Sequence, residues 1–312
     1  MNLDTVTFFI LFNVFILLML AIDLGVFNRK AHAITLREAV LWSIVWTVLA
    51  LVFNAGVFIV AGHRTGLEFL TGYLIERALS FDNIFVFVLI FSYFGVPTRY
   101  HHRALFWGVV GALVTRSIFI AAGAALIARF AWVLTIFGVI LIVSGWKMLG
   151  NKNVEVHPDR NLFIRAARRL FPVTGGYDSA RFFERRDGRL YLTPLFLVLL
   201  TIETTDIVFA VDSIPAVFGV TQDPFIVYSS NVFAILGLRA TYFLLAGVMD
   251  TFHYLSHGLS LVLIFIGTKM LLDHFIPISI GLSLGVVTLI LTVAVAASLV
   301  RARREKRRPP HA

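Results

Sequence analysis

The chain has no cysteine among its 312 residues. That absence excludes disulfides, thiolate metal sites, iron–sulfur clusters and thiol redox catalysis. Charge is scarce too: 14% of residues are Asp, Glu, Lys or Arg, against about 25% in an ordinary soluble domain. Five methionines make a soft-metal site for Cu(I) improbable. No P-loop, Gly-x-Gly-x-x-Gly or nucleophile–base motif is present, so the chain reads as a non-enzyme. What it has in plenty is apolar surface. Hydrophobic residues make up 59%, with 30 phenylalanines, more than a water-facing exterior could hide. The expectation is an all-α polytopic membrane protein in contact with a lipid bilayer.

A helix needs about 20 predominantly apolar residues to cross roughly 30 Å of hydrocarbon. About nine runs qualify: 6–27, 36–61, 67–96, 104–128, 131–149, 191–220, 224–248, 254–275 and 278–300. The first reads as a retained helix, because Asn2 and Asp4 stand where a signal peptide would be basic. The chain thus divides into helices one and two (1–66), helices three to five (67–149), a basic loop (150–190), helices six to eight (191–275), helix nine (276–300) and a basic tail (301–312).

The formal charge of +9 sits mostly in alternate connectors and the tail. Arg29, Lys30, Arg99, Arg103, the arginines of the 150–190 loop and Arg301 to Arg308 would all fall on one side. By the positive-inside rule that side is cytoplasmic. The amino terminus is then outside and the tail inside a cytoplasmic (inner) membrane, with no nucleic-acid partner. Within the loop, Leu162, Ile164 and Leu170 make an apolar helical face among arginines. That pattern fits a short surface helix or a disordered run.

Two stretches resemble each other. Glu76-Arg-Ala-Leu-Ser-Phe-Asp82-Asn83-Ile84 aligns with Asp206-Ile-Val-Phe-Ala-Val-Asp212-Ser213-Ile214. Arg116 answers Arg239, and Gly145-Trp-Lys-Met-Leu149 answers Gly267-Thr-Lys-Met-Leu271. Helices three to five therefore repeat as helices six to eight. Alternation of spans makes the third helix run inward and the sixth outward, an inverted-topology repeat, as in many secondary transporters.

Glu76, Asp82, Glu203, Asp206 and Asp212 lie inside otherwise apolar spans. An acid at the bilayer centre costs about 2.5–3.5 kcal/mol, so these five need partners, protons or a bound cation. Arg77, Arg116 and Arg239 are too few to neutralise them all. Glu76, Ser80 and Asn83 share one helical stripe, whereas Asp212, nine residues from Glu203, points the opposite way on a continuous helix. Convergence of all the acids requires a break, and Pro215, whose missing N–H frees the Val211 carbonyl, offers one. Carboxylates, the Asn83 amide and the hydroxyls of Ser80 and Ser213 suit Mn, Mg or Ca; a proton relay is open as well.

Other polar residues read more plainly. His253 and His257 form an interfacial structural pair, since Tyr254 stands where a zincin carries Glu. Lys147 and Lys269 should snorkel to the interface. Glu68 and Asp23 lie close enough to span ends for solvation. Arg116 and Arg239, both in mid-span, should pair with the acids as counter-ions or gates.

The stretch Gly72-Tyr-Leu-Ile-Glu76-Arg-Ala-Leu-Ser-Phe-Asp82-Asn83, its counterpart from Asp206 to Ala216, and Ser230-Asn-Val-Phe-Ala-Ile-Leu-Gly-Leu-Arg239 resemble the TerC family of integral membrane proteins. Ala21-Ile-Asp-Leu24 and Phe94-Gly-Val-Pro-Thr98 extend the likeness to its Alx-type branch. The resemblance implies manganese export across the inner membrane and a link to tellurium resistance. It makes Glu76, Asp82, Asn83, Glu203, Asp206, Asp212 and Ser213 the candidate ligands, supported by Ser80, Val211, Pro215, Arg116 and Arg239. Mn(II), or a similar divalent ion, would be cargo and no cofactor would be held permanently. Plastid relatives suggest an alternative, a membrane-protein assembly factor without transport activity.

Overall fold

The computed structural model describes residues 3–22, 35–150, 161–177, 180–186, 188–246, 252–273, 275–276 and 278–306. Asp23, Arg29, Lys30, residues 151–160 of the basic loop and the end of the tail lie outside this set. The chain runs through α1 (Leu3–Ile22), α2 (Leu36–Ala61), α3 (His63–Tyr93), α4 (Thr98–Arg129) and α5 (Trp132–Gly150). After α6 (Leu162–Leu170) come two short strands, β1 (Phe183–Arg186) and β2 (Arg189–Leu192). Then follow α7 (Pro194–Phe218), α8 (Pro224–Leu236), α9 (Leu238–Leu245), α10 (Leu255–Leu272) and α11 (Ile280–Lys306).

Among the described residues, six helices are long and apolar enough to cross a membrane: α2, α4, α5, α7, α10 and α11. In α1 the apolar stretch Thr7–Ile22 is shorter. The 31-residue α3 carries Arg64, Glu68, Glu76, Arg77 and Asp82, which lower its apolarity. Arg64 is exposed at its start, and the others are tolerated because neighbours enclose the helix, 16 of whose residues are buried. By contrast α2 shows Ile59 and Val60, and α11 shows Leu289, as expected of faces turned to lipid.

Caps set the boundaries. Thr35 and Glu38 form a reciprocal capping box at α2. Thr193 and Asp223 cap α7 and α8, each followed by a proline at the first helical position. The seventh apolar run is two helices, not one, with the joint at Gly237. There Arg77 Nη1 donates to the Ala234 carbonyl at 3.4 Å, placing a cation at the carboxyl end of α8. A side chain at Gly237 would run into that guanidinium. The expected break at Pro215 does not occur: α7 is continuous through it. Proline removes one hydrogen bond, and a helix enclosed by neighbours absorbs that loss.

Helix contacts are reciprocal. α3 packs on α8, α7 packs on α4, and α3 and α7 pack on each other. The α5–α10 pair is antiparallel and tight. A Cβ on Gly267 would lie 2.6 Å from the Gly138 carbonyl oxygen, and one on Gly145 2.7 Å from that of Ser260. Exchanging each residue for its repeat counterpart turns one of these contacts into the other.

The described part of the basic segment holds more regular structure than its charge suggests. α6 buries Ile164 against the start of α7 and exposes Leu162, Phe163 and Leu170. Strands β1 and β2 pair Phe183 with Leu192 and Arg186 with Arg189. The Tyr177 hydroxyl donates to the Phe94 carbonyl at 2.9 Å, tying the segment to the α3–α4 connector. Burial pushes that phenol up to about 12, so it stays a donor.

Candidate cation site

α3, α5, α7 and α10 surround a cavity of about 890 Å³. Glu76, Asp82 and Asn83 reach it from α3, Asp212 and Ser213 from α7, Ser144 from α5 and Arg116 from α4. Its mouth is ringed by His253, Tyr254, His257 and Arg301, all exposed. The two histidines thus stand, exposed, at its opening.

Among the described residues, two acids in the cavity have only hydroxyls as hydrogen-bond partners. Asp212 Oδ1 accepts from Ser144 Oγ at 2.6 Å, and Asp82 Oδ1 accepts from Ser256 Oγ at 3.5 Å. Both carboxylates are half-buried. Among the described residues neither forms an ion pair within 4 Å. Lys147, exposed on α5, contributes positive potential near Asp212.

Glu76 and Asp206 are treated differently. Arg116, 1% exposed, lies between them. Its Nε and Nη2 donate to the two Asp206 oxygens at 3.0 and 2.9 Å, a bidentate pair. Its Nη1 donates to Glu76 Oε1 and, at 3.2 Å, to Ser213 Oγ. The expected counter-ion is thus Arg116, bonded at once to two repeat-related acids. Arg239 is buried in α9 beyond the Gly237 joint.

Not all the expected ligands converge. Glu76, Asp82, Asn83, Asp212 and Ser213 share the cavity, but Glu203 and Asp206 do not line it. Because α7 is unbroken, nine residues still separate Glu203 and Asp212 by half a turn. Glu203 lies over Gly111 of α4, in space a side chain there would fill. Ser80 is occupied locally, donating to the Glu76 carbonyl at 2.7 Å. Among the described residues, no group of three or more His, Asp or Glu is gathered ready to hold a metal ion.

Two further expectations change. Lys269 does not snorkel: it is buried and donates to the Gly219 carbonyl at 3.2 Å. Glu68 is not solvated either, since it is buried, accepting from Thr221 Oγ1 at 2.7 Å and from Arg64 Nε at 3.2 Å. Ser144 and Ser256 were absent from the candidates. Ser144 had a signal, standing beside Gly145 of the repeated motif; Ser256 had none.

Residues 61–306 match the family described as integral membrane protein TerC. The chain belongs to the TerC family. Among its TerC relatives, a protein of Myxococcus xanthus named as an uncharacterized membrane protein, STKORF319, is 50% identical over 292 residues, covering 94% of this chain and 92% of that one. A protein of Escherichia coli K12 with the provisional name membrane-bound redox modulator Alx is 47% identical over 308 residues, covering 95% and 96%. A Rickettsia felis membrane protein is 40% identical over 292 residues, covering 94% and 97%. No solved structure matches this TerC protein.

Proposed function

We propose that this TerC protein is a secondary transporter that exports a divalent cation, Mn(II) before others, from the cytoplasm. The observation that carries the reading is the one cavity lined by both Asp82 and Asp212, whose hydrogen-bond partners among the described residues are hydroxyls. Two half-buried carboxylates without a fixed cation make a negative site for a mobile one. The Asn83 amide and the hydroxyls of Ser144, Ser213 and Ser256 add neutral oxygens, the ligand class that hard divalent ions prefer.

The reciprocal α3–α8 and α7–α4 contacts, with the antiparallel α5–α10 seam, support two inverted repeats. In this reading α1, α3 and the α8–α9 pair join the six long spans to make nine crossings. The amino terminus is outside, the basic tail is cytoplasmic, and the cavity mouth beside Arg301 faces the cytoplasm. Rocking of the repeats exposes the site alternately, driven by an ion or proton gradient. Mn(II) is cargo, no cofactor is held permanently and the chain is not an enzyme. A redox role of the kind named for the Alx relatives would act here through the metal carried, because there is no thiol to carry electrons. Acid-lined walls repel tellurite, so any tellurium phenotype would be indirect.

The test is Mn(II) flux into proteoliposomes holding the purified chain. Flux that disappears in Asp82→Ala and Asp212→Ala is the expected result; unchanged flux in both would end the proposal.

A further inference from the structure

The cavity floor is a guanidinium surrounded by oxygens. Two carboxylates and a hydroxyl, from Glu76, Asp206 and Ser213, hold Arg116 in a position nearly sealed from solvent. The cluster is not balanced. Asp206 takes two of the guanidinium nitrogens and Glu76 shares a third, so two acids face one cation. The other Glu76 oxygen, Oε2, is buried with no hydrogen-bond partner among the described residues.

A second orphan lies on α8, a helix packed against both α3 and α4. Asn231 of α8 is 1% exposed, and neither its amide nitrogen nor its amide oxygen has a hydrogen-bond partner among the described residues. A buried amide left without bonds is a cost to the fold that a ligand would relieve. The α4–α8 register gives its location. Ala112 and Ile235 line one small void together with Asp206, and Ile120 and Val227 share one packed cluster. Arg116 is four residues from both Ala112 and Ile120, and Asn231 four from both Ile235 and Val227. With one turn above and one turn below matched, the register puts Asn231 at the level of Arg116 on the adjoining helix.

From this arrangement we infer that Arg116 occupies a second, deeper cation site, made by Glu76, Asp206, Ser213 and Asn231. The guanidinium stands in for a divalent ion while the protein rests, and cargo leaving the cavity passes through this site when Arg116 withdraws. Two carboxylates, a hydroxyl and an amide oxygen form an all-oxygen set for Mn(II). The inference rests on the transport reading given above, and adds to it a residue, Asn231, that the cavity does not include.

The experiment separates the two. In the full-length chain, Asp82→Asn with Asp212→Asn removes the cavity acids, and Arg116→Gln is then added. Thermal melting is followed with and without Mn(II). A Mn(II)-dependent rise in melting temperature that appears only with Arg116→Gln, and is abolished by a further Asn231→Ala, is expected, because a ligand of the folded state stabilises it. No such rise would overturn the inference. Should Arg116→Gln fail to fold, Asn231→Ala alone decides through Mn(II) flux: a fall of tenfold or more supports the deep site and wild-type flux refutes it. Wild-type protein that carries no Mn(II) would instead remove the transport reading, while the melting series still reports on the masked site.

Discussion

Asp82 with Asp212, and Glu76 with Asp206, are two pairs of repeat-related acids on the same two helices. The protein neutralises them in opposite ways. The inner pair is held by a buried arginine through bidentate and single hydrogen bonds; among the described residues, the cavity pair has only serine hydroxyls as hydrogen-bond partners. A covalently tethered cation keeps its acids occupied at rest, whereas hydroxyls leave charge uncompensated. Residue type does not separate the pairs. What separates them is whether α4 delivers an arginine to their level.

That contrast can be broken at several points. The largest effect should follow removal of the tethered cation: Arg116→Ala leaves Glu76 and Asp206 buried and unpaired, and should cost about 3–5 kcal/mol of stability, read as lower melting temperature in detergent. Next is Asp82→Asn or Asp212→Asn. Each should cut Mn(II) flux by about 100-fold or more, since even partners one bond removed from a metal are worth 10–100-fold. The same changes should leave melting temperature unchanged or raised, because no ion pair is lost; a collapse in stability would mean these acids are framework. Ser144→Ala, which removes the 2.6 Å bond to Asp212, should weaken Mn(II) affinity about tenfold, in keeping with about 1.5 kcal/mol for a hydrogen bond to a charged group. Ser256→Ala should do least, about twofold, because its 3.5 Å contact is at the limit for a hydrogen bond. Equal effects from the two serines would erase the difference assigned to them.

Much of this was legible in the sequence, for local reasons. Span length follows from runs of apolar residues, and acids within such runs stand out because their burial is costly. The division of those acids into two pairs was not legible. It depends on the α4 register, which brings Arg116 to Glu76 and Asp206 while Gly111 makes room for Glu203. Pro215 suggested a break that tertiary enclosure suppresses, and the break that exists, at Gly237, is fixed by Arg77 from another helix. Lys269 fits the pattern of an interfacial lysine, but a carbonyl at the end of α7 lies within its reach. The β1–β2 hairpin did carry a local signal: Asp187-Gly188 is a tight-turn pair, and Gly188 adopts a φ of +75°. The dense charge around it obscured that cue.

The α5–α10 crossing carries a mechanical consequence. Where Gly138 meets Gly267, backbone rests on backbone with no side chain between to compress or reorient. If the two halves rock as proposed, such a joint would serve as the fulcrum of a see-saw, so that widening the gap at one end of the seam narrows it at the other.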